Sequence, residues 1–283
     1  MEDETKLIIC KHNELIENFI FNATETELQI LNYAVATTNP KWDNQNLVYR
    51  ITIPDLVGTF KTKSNNAYKN YRDALSRLMK REYKYTDANG DDVIENLVTR
   101  IKSNSKDTSW LEFRFNDYIS FRISNLKELF TQYDIKHIAM FRSRYAFAMY
   151  EFCKMHLQQI RYDDHYKKNF TIDKFREQFD LIGKYRKFAD LEKRVLVPIK
   201  ENINKHSDLT ISYKVVRIGN TPVEIKFRAQ YKKNHEPDSP AVDLKQQEEI
   251  PLEQAPKERT EAQTTVGKRA LAAARKMLRT NKA

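Results

Sequence analysis

Residues 183 to 213 read GKYRKFADLEKRVLVPIKENINKHSDLTISY, and this stretch decides which fold the sequence predicts. Hydrophobic side chains recur there at the spacing of an amphipathic helix: Phe188, Leu191, Val195, Ile199 and Ile203. Five cations lie off that stripe, namely Arg186, Lys187, Lys193, Arg194 and Lys200. Pro198 removes one helical hydrogen bond, so we expect it to kink the helix or to end its regular part. A charged helix face is usually a solvated surface, and only the neighbouring elements can indicate a ligand.

The elements around this basic helix have the order of a helix-turn-helix followed by a β-hairpin. A short helix is predicted at DKFREQFD (173 to 180), and the alternating strands DLTISYKVVRI and PVEIKFRA flank a two-residue turn, Gly219-Asn220. Lys184, Arg186 and Lys187 lie at the start of the basic helix, where unpaired backbone N–H groups also attract phosphate. The predicted hairpin adds four more cations: Lys214, Arg217, Lys226 and Arg228.

The first half of the chain repeats this order. Its predicted elements are a helix at 23 to 36 capped by Thr24 and Glu27, a strand at 48 to 53, a helix opened by Pro54, a helix at 65 to 81, and strands at DVIENLVTRI and SWLEFRF. In the second half, a helix at 143 to 159 and a strand at 169 to 172 come before the segments already described. Three apolar pairs lie 119 positions apart: Ile53 with Ile172, Leu56 with Phe175, and Phe60 with Phe179. We interpret the agreement as a duplication, with chance agreement as the alternative.

Helix, strand, two helices and a hairpin form the order of a winged helix, whose third helix lies in the major groove of DNA. The sequence therefore predicts an α+β fold of two tandem winged-helix domains, each with a helix-turn-helix and a β-hairpin wing, plus a disordered C-terminal tail. The expected boundaries are 1–125, 126–233 and 234–283. Cations at the first helix-turn-helix are Lys61, Lys63, Lys69 and Arg72, with Arg77 further along. The polar run at 64 to 66 could contact adenine edges or cap the helix, and both alternatives stay open.

Composition favours a polyanionic partner over an enzymatic role. The 283 residues carry 49 Lys and Arg against 39 Asp and Glu, a net charge of +10. The six histidines include no closely spaced pair, and TVGKRA lacks the first glycine and the hydroxyl residue of a phosphate-binding loop. We therefore expect no catalytic residue, no metal site and no cofactor. Two cysteines, no signal peptide and no long apolar run predict a cytoplasmic protein without membrane contact.

The C-terminal segment differs in composition from the rest. Residues 234 to 263 hold four prolines and eight acids against three Lys or Arg, which is typical of a disordered linker. Residues 264 to 283 hold six bases and no acid. This basic tail could form a helix on DNA or a partner, or it could be a solubilising tail.

Several stretches resemble the iteron-binding plasmid replication initiators of the RepA, RepB and RepE type. They are KHNELIENF, AYKNYRDALSRLMKR, RSRYAFAMYEF and FREQFDLIGKYRKFADLEKRVLVPIKENINKHSDLTISY, and the resemblance covers roughly residues 11 to 230. It implies that monomers bind direct repeats in double-stranded origin DNA, favour opening of an A+T-rich segment, and engage the host initiator and replicative helicase. It also implies that dimers joined through the N-terminal domain repress their own promoter.

The same resemblance assigns residue roles. It gives a sequence-specific DNA contact to Arg186, Lys187, Lys193 and Arg194, and a similar role to Lys69 and Arg72. A transcriptional repressor of the same architecture, which would bind an operator without supporting replication, is the alternative.

Overall fold

Helices and short antiparallel sheets alternate along the computed structural model, which describes residues 6–17, 23–41, 47–62, 65–87, 89–124, 126–160 and 165–233. These residues fall within one compact unit, Met1–Pro240. The predicted linker and basic tail, together with Lys63 and Ser64, lie outside the described residues.

The first half of the chain contains five α-helices and six β-strands among the described residues. In order they are β1 (Ile8–His12), α1 (Asn13–Glu17), α2 (Glu25–Ala36), β2 (Tyr49–Thr52), α3 (Ile53–Phe60), α4 (Ala67–Leu78), β3 (Glu82–Thr86), β4 (Asp92–Asn96), β5 (Val98–Lys102), β6 (Trp110–Phe115) and α5 (Asp117–Arg122). The predicted capping box of α2 is confirmed, because Thr24 Oγ1 accepts from the Glu27 N–H and Glu27 Oε2 accepts from the Thr24 N–H at 2.6 Å. Such a cap stabilises a helix by about 1 kcal/mol.

The strands of this half differ from the prediction. β2, β6 and β5 form one sheet, while β3, which the sequence analysis did not predict, pairs with β4 in a separate hairpin. The segment DVIENLVTRI, predicted as one strand, is divided into β4 and β5. The division occurs at Leu97, since Leu97 and Val98 are both fully buried and successive buried side chains break the alternation of a strand. The Leu97 N–H donates to the Arg81 carbonyl.

The second half begins with β7 (Phe130–Asp134), a 3₁₀ turn (Ile135–His137) and α6 (Arg144–Leu157). It continues with β8 (Tyr166–Thr171), α7 (Ile172–Gln178), α8 (Phe188–Leu191), a π-helical segment (Glu192–Leu196), α9 (Val197–His206), β9 (Leu209–Ile218) and β10 (Thr221–Tyr231). The sheet order is β8-β10-β9. Phe175 on α7 stacks on Phe227 of β10, with ring centroids 5.9 Å apart, so the helices pack on one face of this sheet.

Strand β1 connects the two halves. It pairs antiparallel with β7, from Ile8 opposite Asp134 to His12 opposite Phe130. Lys11 on β1 is buried, and its Nζ donates to Glu151 of α6 and to Asn32 of α2, at 2.6 Å in each case. Breaking a buried ion pair by removing one partner costs several kcal/mol, so this contact holds the N-terminal strand against both helices.

The positions that correspond between the halves extend beyond the three apolar pairs. Thr52 and Thr171, which lie 119 positions apart, cap α3 and α7 through their hydroxyl oxygens. Lys61 and Asp180, also 119 apart, both adopt positive φ, at 50° and 51°. The two helices therefore start and end in the same way, as a structural repeat requires.

Candidate nucleic-acid interface

A continuous helix over residues 188–206, made of α8, the π-helical segment and α9, is the centre of the site. Of the five predicted inward residues, Leu191, Val195, Ile199 and Ile203 are fully buried, whereas Phe188 is only half-buried. Arg186 and Lys187 are exposed just before the helix, and Lys193, Arg194 and Lys200 are exposed on it. In the described part of the chain, Lys187, Lys193 and Lys200 form no ion pair, so their charges are available to an external anion.

The helix begins at Phe188, so Lys184, Arg186 and Lys187, which the sequence predicts at its start, precede it. Tyr185 has a left-handed backbone (φ 48°), which no residue inside an α-helix can adopt. Arg176 of α7 holds this turn, because its guanidinium donates to the carbonyls of Lys184, Tyr185 and Arg186, at 2.7 Å for Tyr185. Sequence reasoning missed Arg176, and no sequence pattern points to such a side-chain-to-turn contact.

Pro198 neither ends the helix nor leaves it regular. The chain widens into a π-helical turn at Glu192–Leu196, where the Val197 N–H donates to the Glu192 carbonyl, and α-helix then continues to His206. A π turn accommodates a proline whose missing N–H interrupts the α-helical bonding.

Tyr213 of β9 contacts this π-helical segment. Its hydroxyl donates to Glu192 Oε1 at 3.1 Å, and burial raises the pKa of Tyr213 to about 12, so the hydroxyl keeps its proton at neutral pH.

The hairpin presents its cations on two different faces. Lys214 and Lys226 are direct cross-strand partners, and Arg228 lies opposite Ser212 and Lys167. These side chains alternate with the buried residues of β9 and β10, so they point away from the helices. Lys226 also pairs with Glu224 at 3.4 Å.

Arg217 is the wing cation that lies beside the 188–206 helix. Its Cζ is 5.5 Å from the centroid of the Phe188 ring, and its Nη1 donates to the Asn220 carbonyl at 3.0 Å. Phe188 also lines an open groove of about 430 Å³ with Arg176, Arg186 and Pro222. This difference could have been predicted from the alternation of β9. Arg217 is four residues from Tyr213 and shares its face of the strand, whereas Lys214 points to the opposite face.

Of the other predicted cations, some pair with carboxylates of the protein and others are exposed. Lys184 binds Asp180 Oδ2 at 2.7 Å, so it stabilises the turn between the helices. In the first half, Lys61 is exposed at the end of α3, and Lys69 and Arg72 are exposed on α4. Arg77 instead contacts the buried Glu27 at 3.1 Å.

The capping alternative for the polar run at 64 to 66 can be checked at Asn66. Asn66 occupies the N-cap position of α4 without a side-chain capping hydrogen bond, so the capping alternative does not hold for this residue. Lys63 and Ser64 cannot be placed, because they are outside the described ranges.

The described residues offer neither a metal-binding cluster nor a membrane span. Among the residues with described positions, no cluster of three or more His, Cys, Asp or Glu side chains could hold a metal ion. Within the same residues, none of the helices has the length and apolar character needed to cross a bilayer.

Comparisons with known proteins agree on a family. The family described as "Initiator Replication protein, WH1" matches residues 8–154, and "Initiator Rep protein, WH2" matches residues 171–229. A replication initiation protein of Escherichia coli is 26% identical over 214 residues, an alignment that covers 73% of this chain and 65% of that protein. The chain thus spans under two thirds of the length of this relative.

The fold is also similar to that of a solved structure. The crystal structure of the Pi initiator protein in complex with iteron DNA matches with a TM-score of 0.67 at 18% identity, covering 82% of this chain and all of that one. The prediction of two tandem winged-helix domains is confirmed.

Proposed function

The chain belongs to the initiator replication protein family, with the WH1 and WH2 domains of that family in tandem, and from this premise we propose that it initiates plasmid replication by binding iterons. The iterons are direct repeats in the double-stranded DNA of an origin. The observation that carries the proposal is the repeated helix-turn-helix. In each half, a capped helix with a left-handed end comes before a helix that exposes cations.

The 188–206 helix is proposed to enter the major groove, with Arg186, Lys187, Lys193 and Arg194 facing the DNA. Bases are distinguished there by donor and acceptor patterns, and arginine recognises guanine through two parallel hydrogen bonds. Arg217 packs against the Phe188 ring at the start of the helix, and we expect it to contact the adjacent DNA backbone. Exposed Lys69 and Arg72 would make the corresponding contacts from α4.

Several finer steps belong to the same proposal. Bound monomers would favour opening of an A+T-rich segment through binding energy and DNA deformation, and they would engage the host initiator and the replicative helicase. Dimers would form through the N-terminal domain, residues 1–125, and would repress the promoter of the gene. Residues 126–233 would supply sequence-specific binding.

The test uses a plasmid that carries candidate repeats beside an A+T-rich tract and has no initiator gene. We expect it to replicate only when this protein is supplied in trans. Specific binding to the repeats without replication would favour the repressor alternative. Absence of any sequence preference would refute both functions.

A further inference from the structure

Arg142 lies between the two helix-turn-helix units and contacts the first of them through its side chain. Its Nη2 donates to the carbonyls of Phe60 at 2.9 Å and Lys61 at 3.3 Å, at the C-terminal end of α3. Carbonyls at a helix C-terminus have no partner inside the helix and carry partial negative charge. The guanidinium therefore fits the end of α3. A further contact to Glu25, at 3.8 Å, reaches α2.

The backbone of the same residue contacts the second unit. The Arg142 N–H donates to Oδ1 of Asn202 on α9 at 2.7 Å. The amide of Asn202 in turn donates to the Pro198 carbonyl at 2.8 Å, which fixes the orientation of the Asn202 side chain. One residue thus connects the turn of the first helix-turn-helix to the C-terminal half of the 188–206 helix.

This connection uses groups with fixed geometry. A guanidinium is a planar fork of donors, so its bonds to two successive carbonyls restrict both distance and angle. Nη1 of Arg142 also donates to the Phe141 carbonyl at 2.8 Å, which holds the fork against its own turn. A flexible lysine could not reproduce the set.

We propose that Arg142 and Asn202 are positioning residues that fix the separation of the two helix-turn-helix units, and so determine how many base pairs separate the two DNA segments that the chain recognises. This inference rests on the proposed function. One added base pair rotates the next segment by about 35°, since B-DNA has 10 to 10.5 base pairs per turn. A rigid pair of units cannot follow that rotation, whereas an uncoupled pair can.

The experiment selects binding sites from duplex DNA with a long random central region, using the full-length protein. Wild type should enrich two sequence blocks at one separation. Arg142→Gln and Asn202→Ala should enrich the same blocks at several separations, and should lose about tenfold of the preference for the wild-type separation over one lengthened by two base pairs. Lys136→Gln is the matched control, because it removes one charge from an exposed side chain that pairs with Asp134.

The outcomes separate this inference from the proposed function. If wild type enriches no sequence, the proposed function fails. If wild type enriches two blocks and both variants keep the same single separation, only the positioning role is refuted. Thermal melting checks folding, and should Arg142→Gln be unfolded, Asn202→Ala carries the test because it leaves the guanidinium contacts intact. Arg142→Lys should not restore the single separation, since lysine lacks the planar fork.

Discussion

The side chain of Arg194 is exposed within the π-helical segment, with its Cζ 6.0 Å from the ring centroid of Tyr185. If it binds a guanine edge, Arg194→Gln should remove roughly 1–3 kcal/mol of discrimination between the cognate repeat and one with that base changed. Competition binding at fixed salt concentration measures this difference.

Lys200→Gln is the control for that variant, since Lys200 is exposed about three turns beyond the N-terminal end of the helix. We expect Lys200→Gln to weaken binding to cognate and random DNA by similar factors. Equal losses on both DNAs for Arg194→Gln as well would mean that Arg194 contacts only phosphate.

Glu27 is a buried carboxylate that joins α2 to α4 and to the segment that follows α4. It has no exposed side-chain surface and pairs with Arg81 at 2.7 Å and Arg77 at 3.1 Å. Glu27→Gln keeps a capping side chain but removes the charge, so we expect a loss of about 1.5–3 kcal/mol in the free energy of unfolding. We expect the loss to be no larger than this, because both arginines are partly exposed and can be hydrated. Urea denaturation measures the loss, and a change below about 0.5 kcal/mol would contradict the structural role.

The sequence predicts which cations are exposed, but it does not show which of them already pair with a carboxylate of the protein. Lys184 and Lys187 are three residues apart and look equivalent in the sequence, yet only Lys184 has a carboxylate partner among the described residues. The sequence groups Arg77 with the cations of the first helix-turn-helix, but in the structure Arg77 pairs with Glu27. Such pairs depend on which elements meet in three dimensions, and local periodicity carries no information about that.

At the ends of α3 and α7, the two left-handed residues determine how each helix-turn-helix bends. Lys61 (φ 50°) carries a Cβ in a conformation that favours glycine. Lys61→Gly should therefore raise the free energy of unfolding by about 0.5–1 kcal/mol. Lys69→Gly removes the same charge from the first turn of α4 and should lower stability by up to about 1 kcal/mol. Thermal melting of the two variants should show shifts of opposite sign, and shifts of the same sign would contradict the strain at Lys61.

Elements with a clear hydrophobic period could be predicted, while those shaped by distant contacts could not. Sequence alone predicts the helices α2, α4 and α6, the cap of α2 and the β9–β10 hairpin with its Gly219-Asn220 turn, because each follows from local chemistry. β3 was missed, and the start of the 188–206 helix was misplaced. The shape of the turn before that helix depends on Arg176, whose partners lie eight to ten residues away.

Both helix-turn-helix units lie within the same compact part of the chain, residues 1–240, so we expect them to bind DNA at the same time. We expect hydroxyl-radical footprinting to show two protected regions about one helical turn, or 10 to 10.5 base pairs, apart. Neutralising Lys187 and Arg194 together should remove one region, and neutralising Lys69 and Arg72 should remove the other, because each pair is exposed on a different unit. A single protected groove with the wild-type protein would show that only one unit docks, and the first unit would then serve another purpose than DNA contact.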